Sequence, residues 1–215
     1  MASVTTTILR IDWSPLRAGP ESASRQPATK GADNYPVAEQ NLESALLVTV
    51  PSAEPVVARY RDRLDSSAPL GVPAHITVLF PFMPPAAIGA QVHARLARLF
   101  AAVAPFVFAL DHTDWFGDHL LWLGPRDPAP FSALTRLVHE AFPDYPPYGG
   151  RHDVVVPHLT VADSGDPTEL RAADDAVRPR LPVEARATQV ALMTGPPTAA
   201  EGRWATVATF PFRTR

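Results

Sequence analysis

Two short segments of the sequence repeat one pattern, in which a histidine, an apolar residue, a threonine and a valine follow a proline. Residues 72–78 read V-P-A-H-I-T-V, and residues 155–161 read V-V-P-H-L-T-V. An imidazole can take up or release a proton near neutral pH, and a hydroxyl can donate a hydrogen bond to an oxygen on which negative charge develops. The candidate acid-base and hydrogen-bonding residues are His75, Thr77, His158 and Thr160.

The alternation of side chains along a strand gives each motif one polar face. In a strand, His75 and Thr77 share one face while Ile76 is on the other, and the second motif repeats this arrangement. If helices cover the apolar faces, a pseudo-twofold relation between the halves places both imidazoles across one cleft. Composition alone predicts about one His-x-Ser/Thr tripeptide by chance. The stronger evidence that the two motifs form one functional pair is therefore that they share flanking residues and both lie in predicted strands.

The surrounding sequence contains two similar blocks of strand and helix signals. Apolar runs and helical spacing in the first block predict strand 45–50, helix 56–64, strand 75–80 and helix 88–103. The second block predicts strands 106–110 and 120–123, helix 131–142, strand 158–162, and a helix to about 177 that starts at a capping box of Asp166, Pro167 and Glu169. Two further runs, 185–193 and 204–210, predict a closing hairpin. This order indicates an internal duplication.

The length of 215 residues predicts one domain with a tail or two small lobes. Residues 1–43 lack periodicity and are rich in Ser, Thr, Pro, Gly and Ala, so we expect a poorly ordered extension in which Ile8 to Trp13 could form an edge strand. Residues 44–215 form the predicted domain, with lobes of roughly 44–104 and 105–215 and with exchange of strands between the lobes left open.

The composition excludes several classes of protein. The net charge of −3 provides no basic field for holding long nucleic acid, which favours a small or terminal substrate. The absence of cysteine excludes disulfides, thiolate metal sites and cysteine nucleophiles. The sequence predicts no signal peptide and no membrane span, so we expect a soluble cytoplasmic protein.

The segments H-I-T-V-L-F-P-F at 75–82 and P-H-L-T-V-A-D at 157–163 resemble the paired motifs of the two-histidine (2H) phosphoesterase superfamily, in its 2′-5′ RNA ligase-like branch. The resemblance covers about residues 45–212. It implies an α+β fold that is bilobal and pseudo-symmetric, with two antiparallel sheets, helices on their outer faces and a central cleft. Several members carry Arg two or three residues after the second Thr, where this chain has Ala162 and Asp163, so the substrate-phosphate contact is left open.

The activity implied by the resemblance is metal-independent hydrolysis of 2′,3′-cyclic or 2′-5′ phosphodiesters, with reversible 2′-5′ RNA ligation as a related reaction. The implied partner is a small nucleotide or an RNA terminus that bears a cyclic phosphate. We expect the protein to be a monomer that needs no cofactor or metal and has no membrane contact and no stable protein partner. One imidazole would take a proton from water and the other would protonate the leaving ribose oxygen, each contributing on the order of 10²–10⁴-fold. The sequence does not assign which is which.

Other residues near the motifs are candidates for substrate binding. In the loop before the second motif, Tyr148 could stack on a base and Arg151 could hold a phosphate, with a proline-rich surface loop as the alternative. Phe82 could line a base pocket, and packing in the core is its alternative. A further cluster is predicted to be a solvated turn rather than a metal site: His112, Asp114, Asp118 and His119.

Two other functional classes stay open from the sequence. One is a noncatalytic module that binds a phosphorylated nucleotide in the cleft. The other is a metal-dependent phosphoesterase that uses His152, Asp153 and His158.

Overall fold

A computed structural model describes residues 42–152 and 154–213 of the chain. The predicted strand at Ile8 to Trp13 and almost all of the predicted N-terminal extension lie outside the described residues. The last residue of that extension, Glu43, is the first residue of a strand. The helices are α1 (Glu54–Leu64), α2 (Ala90–Ala101), α3 (Ala129–Ala141) and α4 (Pro167–Val177). The strands are β1 (Glu43–Thr49), β2 (His75–Leu79), β3 (Phe106–Phe116), β4 (Leu120–Pro125), β5 (Leu159–Ala162), β6 (Val183–Ala187), β7 (Gln189–Gly195) and β8 (Ala205–Pro211).

The strands form two four-stranded antiparallel sheets, which confirms the α+β class and the two-sheet architecture. The first sheet has the order β2-β1-β7-β8, and the second has the order β5-β4-β3-β6. The two motif strands, β2 and β5, are edge strands. Each pairs with the preceding strand of the chain, and one α-helix connects the two strands of each pair. The sheets therefore place the two motifs at equivalent positions.

The prediction of one strand over residues 185–193 is wrong, because this segment divides between the sheets. β6 pairs with β3 in the second sheet, whereas β7 pairs with β1 and β8 in the first. Ala187 and Val190 are buried while Thr188 and Gln189 between them are exposed, so the alternation of burial changes phase at this point. A run of small apolar and polar residues does not reveal which sheet each of its halves joins. The C-terminal hairpin β7–β8 thus completes the sheet that the N-terminal half begins.

One hydrophobic core joins the two sheets. Ile76 of β2 and Leu159 of β5 are fully buried in it, and burial of such a side chain stabilises the fold by about 1.5–3 kcal/mol. Helix α3 packs against β2, and helix α1 packs against β5. Each motif strand is therefore covered on its apolar face by a helix of the other half, which fixes the two edge strands beside each other.

The N-terminus of α4 has the predicted capping box. The Asp166 carboxylate accepts hydrogen bonds from the backbone N–H groups of Thr168 and Glu169, at 2.7 and 3.1 Å, and the Glu169 side chain accepts one from the Asp166 N–H. These bonds satisfy backbone donors that the first turn of a helix leaves open. None of the helices in the described ranges has the length and apolar character that a bilayer crossing requires.

Candidate active site

Both motif histidines are held by the same hydrogen bond. His75 Nδ1 lies 2.7 Å from the carbonyl oxygen of Pro73, and His158 Nδ1 lies 2.7 Å from that of Val156. Because a carbonyl can only accept, Nδ1 carries the proton in each ring, and Nε2 of each neutral ring keeps its lone pair. The partner is the residue two positions earlier in both cases. The two halves therefore present equivalent imidazoles, each with Nε2 available for proton transfer.

The electrostatics of the rings indicate that they lie close together. The two motif strands contact each other. Burial, with smaller contributions from the charges of Arg61 and His158, lowers the pKa of His75 to about 4, against the opposing effects of its bond to Pro73 and of the Asp65 charge. Burial also lowers the pKa of His158, again against its backbone hydrogen bond. Both imidazoles are therefore mainly neutral at pH 7 in the ligand-free protein.

Each motif threonine is half-buried on the same strand face as its histidine. In the sheets, Thr77 is paired with Leu47 of β1, and Thr160 is paired with Trp122 of β4. The predicted alternation is present, since the residues between each His and Thr are fully buried in the core. The second motif differs slightly because His158 lies just before β5 begins.

Tyr148 reaches from the loop after α3 to the first motif. Its hydroxyl is hydrogen-bonded to the side chain of Thr77, and burial raises the pKa of this phenol to about 12. Its backbone N–H donates to the carbonyl of Phe80 at 2.6 Å, and its φ of 53° places a non-glycine residue in the left-handed region. The structure thus brings Tyr148 to Thr77, and its part in substrate binding stays a prediction.

The other two predicted substrate contacts lie in different environments. Arg151 is exposed, and its backbone N–H donates to the Tyr148 carbonyl at 3.3 Å. Phe82 is only 4% exposed and makes edge contacts with the rings of Phe142 and Tyr145. The structure places Phe82 in the core because the chain has left β2 and turned inward before this residue. The packing alternative describes it better than the base-pocket alternative.

Asp163, one of the two positions at which the sequence leaves the phosphate contact open, has a structural contact. Its carboxylate accepts hydrogen bonds from the backbone N–H of Ser66 at 2.7 Å and from the Ser66 hydroxyl at 2.5 Å. Its own N–H donates to the Leu64 carbonyl at 2.7 Å. Asp163 therefore joins the end of β5 to the segment after α1, which links the two halves of the molecule beside the motifs.

Aromatic rings surround His158, and the sequence did not predict them. The ring centroids of Phe116 and Trp122 lie 5.0 and 5.9 Å from that of His158, and Phe116 and Trp122 stack on each other at 5.1 Å. Strand alternation could have identified this group, because Trp122 is paired with Thr160 and so lies on the same face of the sheet as the motif residues. The apolar run around it instead indicated an ordinary core strand.

The prediction that His112 belongs to a solvated turn is wrong. Strand β3 continues to Phe116, six residues beyond the predicted end at residue 110, so His112 and Asp114 are strand residues. The turn is restricted to the residues that separate β3 from β4. Within the described ranges, no group of three or more His, Asp or Glu side chains is arranged to hold a metal ion, and Asp153 of the alternative metal site is outside those ranges.

The two sheets, whose edge strands β2 and β5 contact each other and carry the two His-x-Thr motifs, define a protein of the two-histidine type. The sequence model of the 2′-5′ RNA ligase superfamily matches residues 49–195, and the chain therefore belongs to this superfamily.

Solved structures share the fold at low sequence identity. The crystal structure of E. coli LigT complexed with 3′-AMP has a TM-score of 0.54 and 16% identity, with 81% of this chain and 100% of that chain covered. The crystal structure of TT0787 of Thermus thermophilus has a TM-score of 0.54 and 20% identity, with 79% of this chain and 97% of that chain covered. No curated protein matches the sequence.

Proposed function

We propose that the protein is a metal-independent phosphodiesterase that opens 2′,3′-cyclic or related small cyclic and 2′-5′ nucleotide phosphodiesters, with His75 and His158 as the acid-base pair. The equivalent anchoring of the two rings is the observation that carries this proposal. Two imidazoles with the same Nδ1 bond to a carbonyl present matching Nε2 atoms from apposed strands. Acid-base attack on one phosphorus needs this arrangement.

The reaction uses one proton from water and one from an imidazolium. Nε2 of one neutral histidine takes a proton from water as the water oxygen forms a bond to phosphorus. The bond from phosphorus to one ribose oxygen breaks, and the other histidine donates a proton to that oxygen. The hydroxyls of Thr77 and Thr160 donate to the nonbridging oxygens. In 2′-5′ ligation, a ribose hydroxyl of a second nucleotide takes the place of water.

The lowered pKa values of His75 and His158 imply that substrate binding changes the protonation state of one of these two rings. Because burial keeps both rings mainly neutral at pH 7, one of them must gain a proton before it can act as the acid. The negative charge of a bound phosphodiester favours the imidazolium. Substrate binding is therefore expected to be accompanied by proton uptake, and the equivalent anchors do not decide which ring receives the proton.

Two observations favour a small substrate: the net charge of the chain and the nucleotide bound in the crystal structure of a similar protein. The net charge of −3 does not favour long RNA. LigT of E. coli binds 3′-AMP in its crystal structure, a small nucleotide with a phosphate on the ribose. We infer that this chain takes a small nucleotide or an RNA terminus with a cyclic phosphate.

The test is a substrate panel with the full chain at pH 6 to 8 in the presence of EDTA. The panel contains the four nucleoside 2′,3′-cyclic phosphates and a 2′-5′ dinucleotide, and the products are identified as 2′- or 3′-phosphates. H75A and H158A should each lower kcat at least 100-fold. H93Q, a histidine change on α2, is the matched control and should keep the wild-type rate.

Three outcomes would contradict the proposal. Undiminished turnover in H75A or H158A would remove the acid-base assignment. Binding of nucleotides without any turnover would make the protein a noncatalytic module. Activity that is lost on chelation and restored by a divalent ion would identify a metal-dependent enzyme.

A further inference from the structure

A bulge in β3 brings together three charged or titratable side chains beside the second motif. The register of the β3–β4 pair shifts between Leu110 and His112, so that Asp111 is the extra residue. The Asp111 carboxylate lies 2.8 Å from His112 Nδ1 and 2.9 Å from Arg126 Nε. These hydrogen bonds lower the pKa of Asp111, so the carboxylate stays charged. One carboxylate thus holds an imidazole and a guanidinium side by side.

The His112 ring lies over β4 on the face that carries the motif residues. A Cβ atom added to Gly124 would come within 2.2 Å of His112 Nε2, so the ring occupies the space that any other residue at position 124 would fill. Leu123 pairs with Leu159, and the next residues along these antiparallel strands are Gly124 and His158. The missing side chain at Gly124 therefore lets His112 extend from β3 toward His158.

An indole with an unsatisfied donor lies between the two imidazoles. The centroid of the Trp122 ring is 5.9 Å from that of His112 and 5.9 Å from that of His158. Trp122 is only 5% exposed, and among the described residues its Nε1–H has no acceptor. A buried donor without a partner is costly, and the indole that carries this donor contacts both imidazoles. This observation is independent of the Asp111 cluster.

We propose that His112 and Arg126 form a subsite for a second phosphoryl group, the 5′-phosphate of the nucleotide whose cyclic phosphate lies at His158. The proposal rests on the proposed function and specifies its substrate class. The His112 ring borders the phosphate and is held in place by Asp111, and the Arg126 guanidinium supplies the cation.

The spacing of the two sites fits one nucleotide. Because the His112 ring lies above β4, it is separated from the strand of His158 by about one strand spacing, ~5 Å. The phosphates on the 3′ and 5′ oxygens of one ribose are separated by a span of this order. The Phe116–Trp122 stack lies beside His158, and Trp122 also contacts His112. A substrate with both phosphates could therefore contact His158 and His112 together.

The first experiment compares adenosine 2′,3′-cyclic phosphate with and without a 5′-phosphate. In the wild-type protein, kcat/KM should be at least tenfold higher for the 5′-phosphorylated substrate. H112Q and R126Q should each reduce this ratio toward one, and G124A should do the same by displacing the His112 ring without changing any charge. R136Q, on the exposed side of α3, is the matched control and should keep the ratio. Thermal unfolding of each variant checks that it is folded.

A third substrate distinguishes the two sources of a 5′-phosphate. A dinucleotide with a terminal 2′,3′-cyclic phosphate carries a diester on the 5′ oxygen of its last nucleoside, whereas a free nucleotide carries a monoester. Preference for the dinucleotide would assign the subsite to RNA ends, and preference for the monoester would assign it to free nucleotides. Either preference supports the subsite, provided that H112Q and R126Q abolish it.

The remaining outcomes separate failure of the subsite from failure of the proposed function. If cyclic phosphates are hydrolysed with no preference for the 5′-phosphate, or if the variants keep the preference, the subsite is refuted and the activity stands. If nothing is hydrolysed, calorimetry compares binding of adenosine 3′,5′-bisphosphate and adenosine 3′-monophosphate. Tighter binding of the bisphosphate, by about tenfold in wild type and lost in R126Q, supports the subsite. Equal binding refutes it.

Discussion

The half-site of His75 and Thr77 and the half-site of His158 and Thr160 share a hydrogen-bonding pattern but have different surroundings. Each histidine bonds the carbonyl two residues earlier at 2.7 Å. The first half-site is bordered by the Tyr148 phenol and by the buried Arg61–Asp65 ion pair, in which Nε and Oδ2 are 2.7 Å apart. The second is bordered by aromatic rings instead. The two half-sites therefore hold their imidazoles in the same way, and they differ in the side chains that surround each imidazole.

The largest expected effect tests whether the two half-sites act in one step. H75A and H158A should each lower the single-turnover rate of cyclic phosphate hydrolysis by 10²-fold or more, and the double variant should be little worse than either one. Groups that serve the same transition state are not additive. If the losses multiply in the double variant, the two rings contribute independently to the barrier and do not act as a coupled pair.

A smaller effect compares the two hydroxyls. T77V and T160V each remove one donor to the nonbridging oxygens, and we expect kcat to fall by about 100-fold, with a smaller change in KM. Equal losses would show that the symmetry extends to the hydroxyls. A change in KM alone would show that the hydroxyls bind the ground state and do not stabilise the transition state.

The hydrogen bond from Tyr148 to Thr77 should make the catalytic contribution of Thr77 depend on the Tyr148 hydroxyl. Y148F removes the hydroxyl that bonds Thr77 and should lower kcat several-fold, because the Thr77 hydroxyl loses its orientation; Y145F, in the same loop, is the control. In the T77V background, Y148F should have little further effect. An unchanged effect in that background would mean that Tyr148 contacts the substrate directly.

The smallest effect concerns stability in acid. The pKa of His75 is lowered to about 4 in the folded protein, whereas it is near 6.5 in an unfolded chain. Between these values the unfolded chain binds more protons, so this group lowers the free energy of unfolding as pH falls from about 6.5 to 4. H75Q should therefore lose less stability than wild type between pH 7 and pH 4.5, as measured by urea unfolding. An equal loss in the two proteins would contradict the burial of this imidazole.

Local signals in the sequence were sufficient for the elements that depend on neighbouring residues. The capping box at Asp166 starts α4 where the pattern predicts it, and both motif strands have the predicted alternation of buried and half-buried residues. These features depend on residues within a few positions of each other. The superfamily and its two-sheet fold could also be inferred from the paired motifs.

Features that depend on distant partners could not be inferred from the sequence. The bulge at Asp111 and the position of His112 over Gly124 arise from the pairing of β3 with β4, and no local signal indicates a strand that continues through such polar residues. The division of residues 185–193 between two sheets and the burial of Phe82 likewise follow from long-range packing. For the same reason, the aromatic surroundings of His158 became evident only in the structure.

The return of β7 and β8 to the first sheet has a consequence for synthesis of the chain on the ribosome. The strand pair β1–β2 emerges early, but the neighbour that pairs with β1 on its other side begins at Gln189, near the C-terminus. Until then β1 has one unpaired edge, which is a site for wrong pairing between chains. A fragment that stops after α2 should expose this edge and aggregate, because the first sheet is complete only when the C-terminal strands β7 and β8 join it.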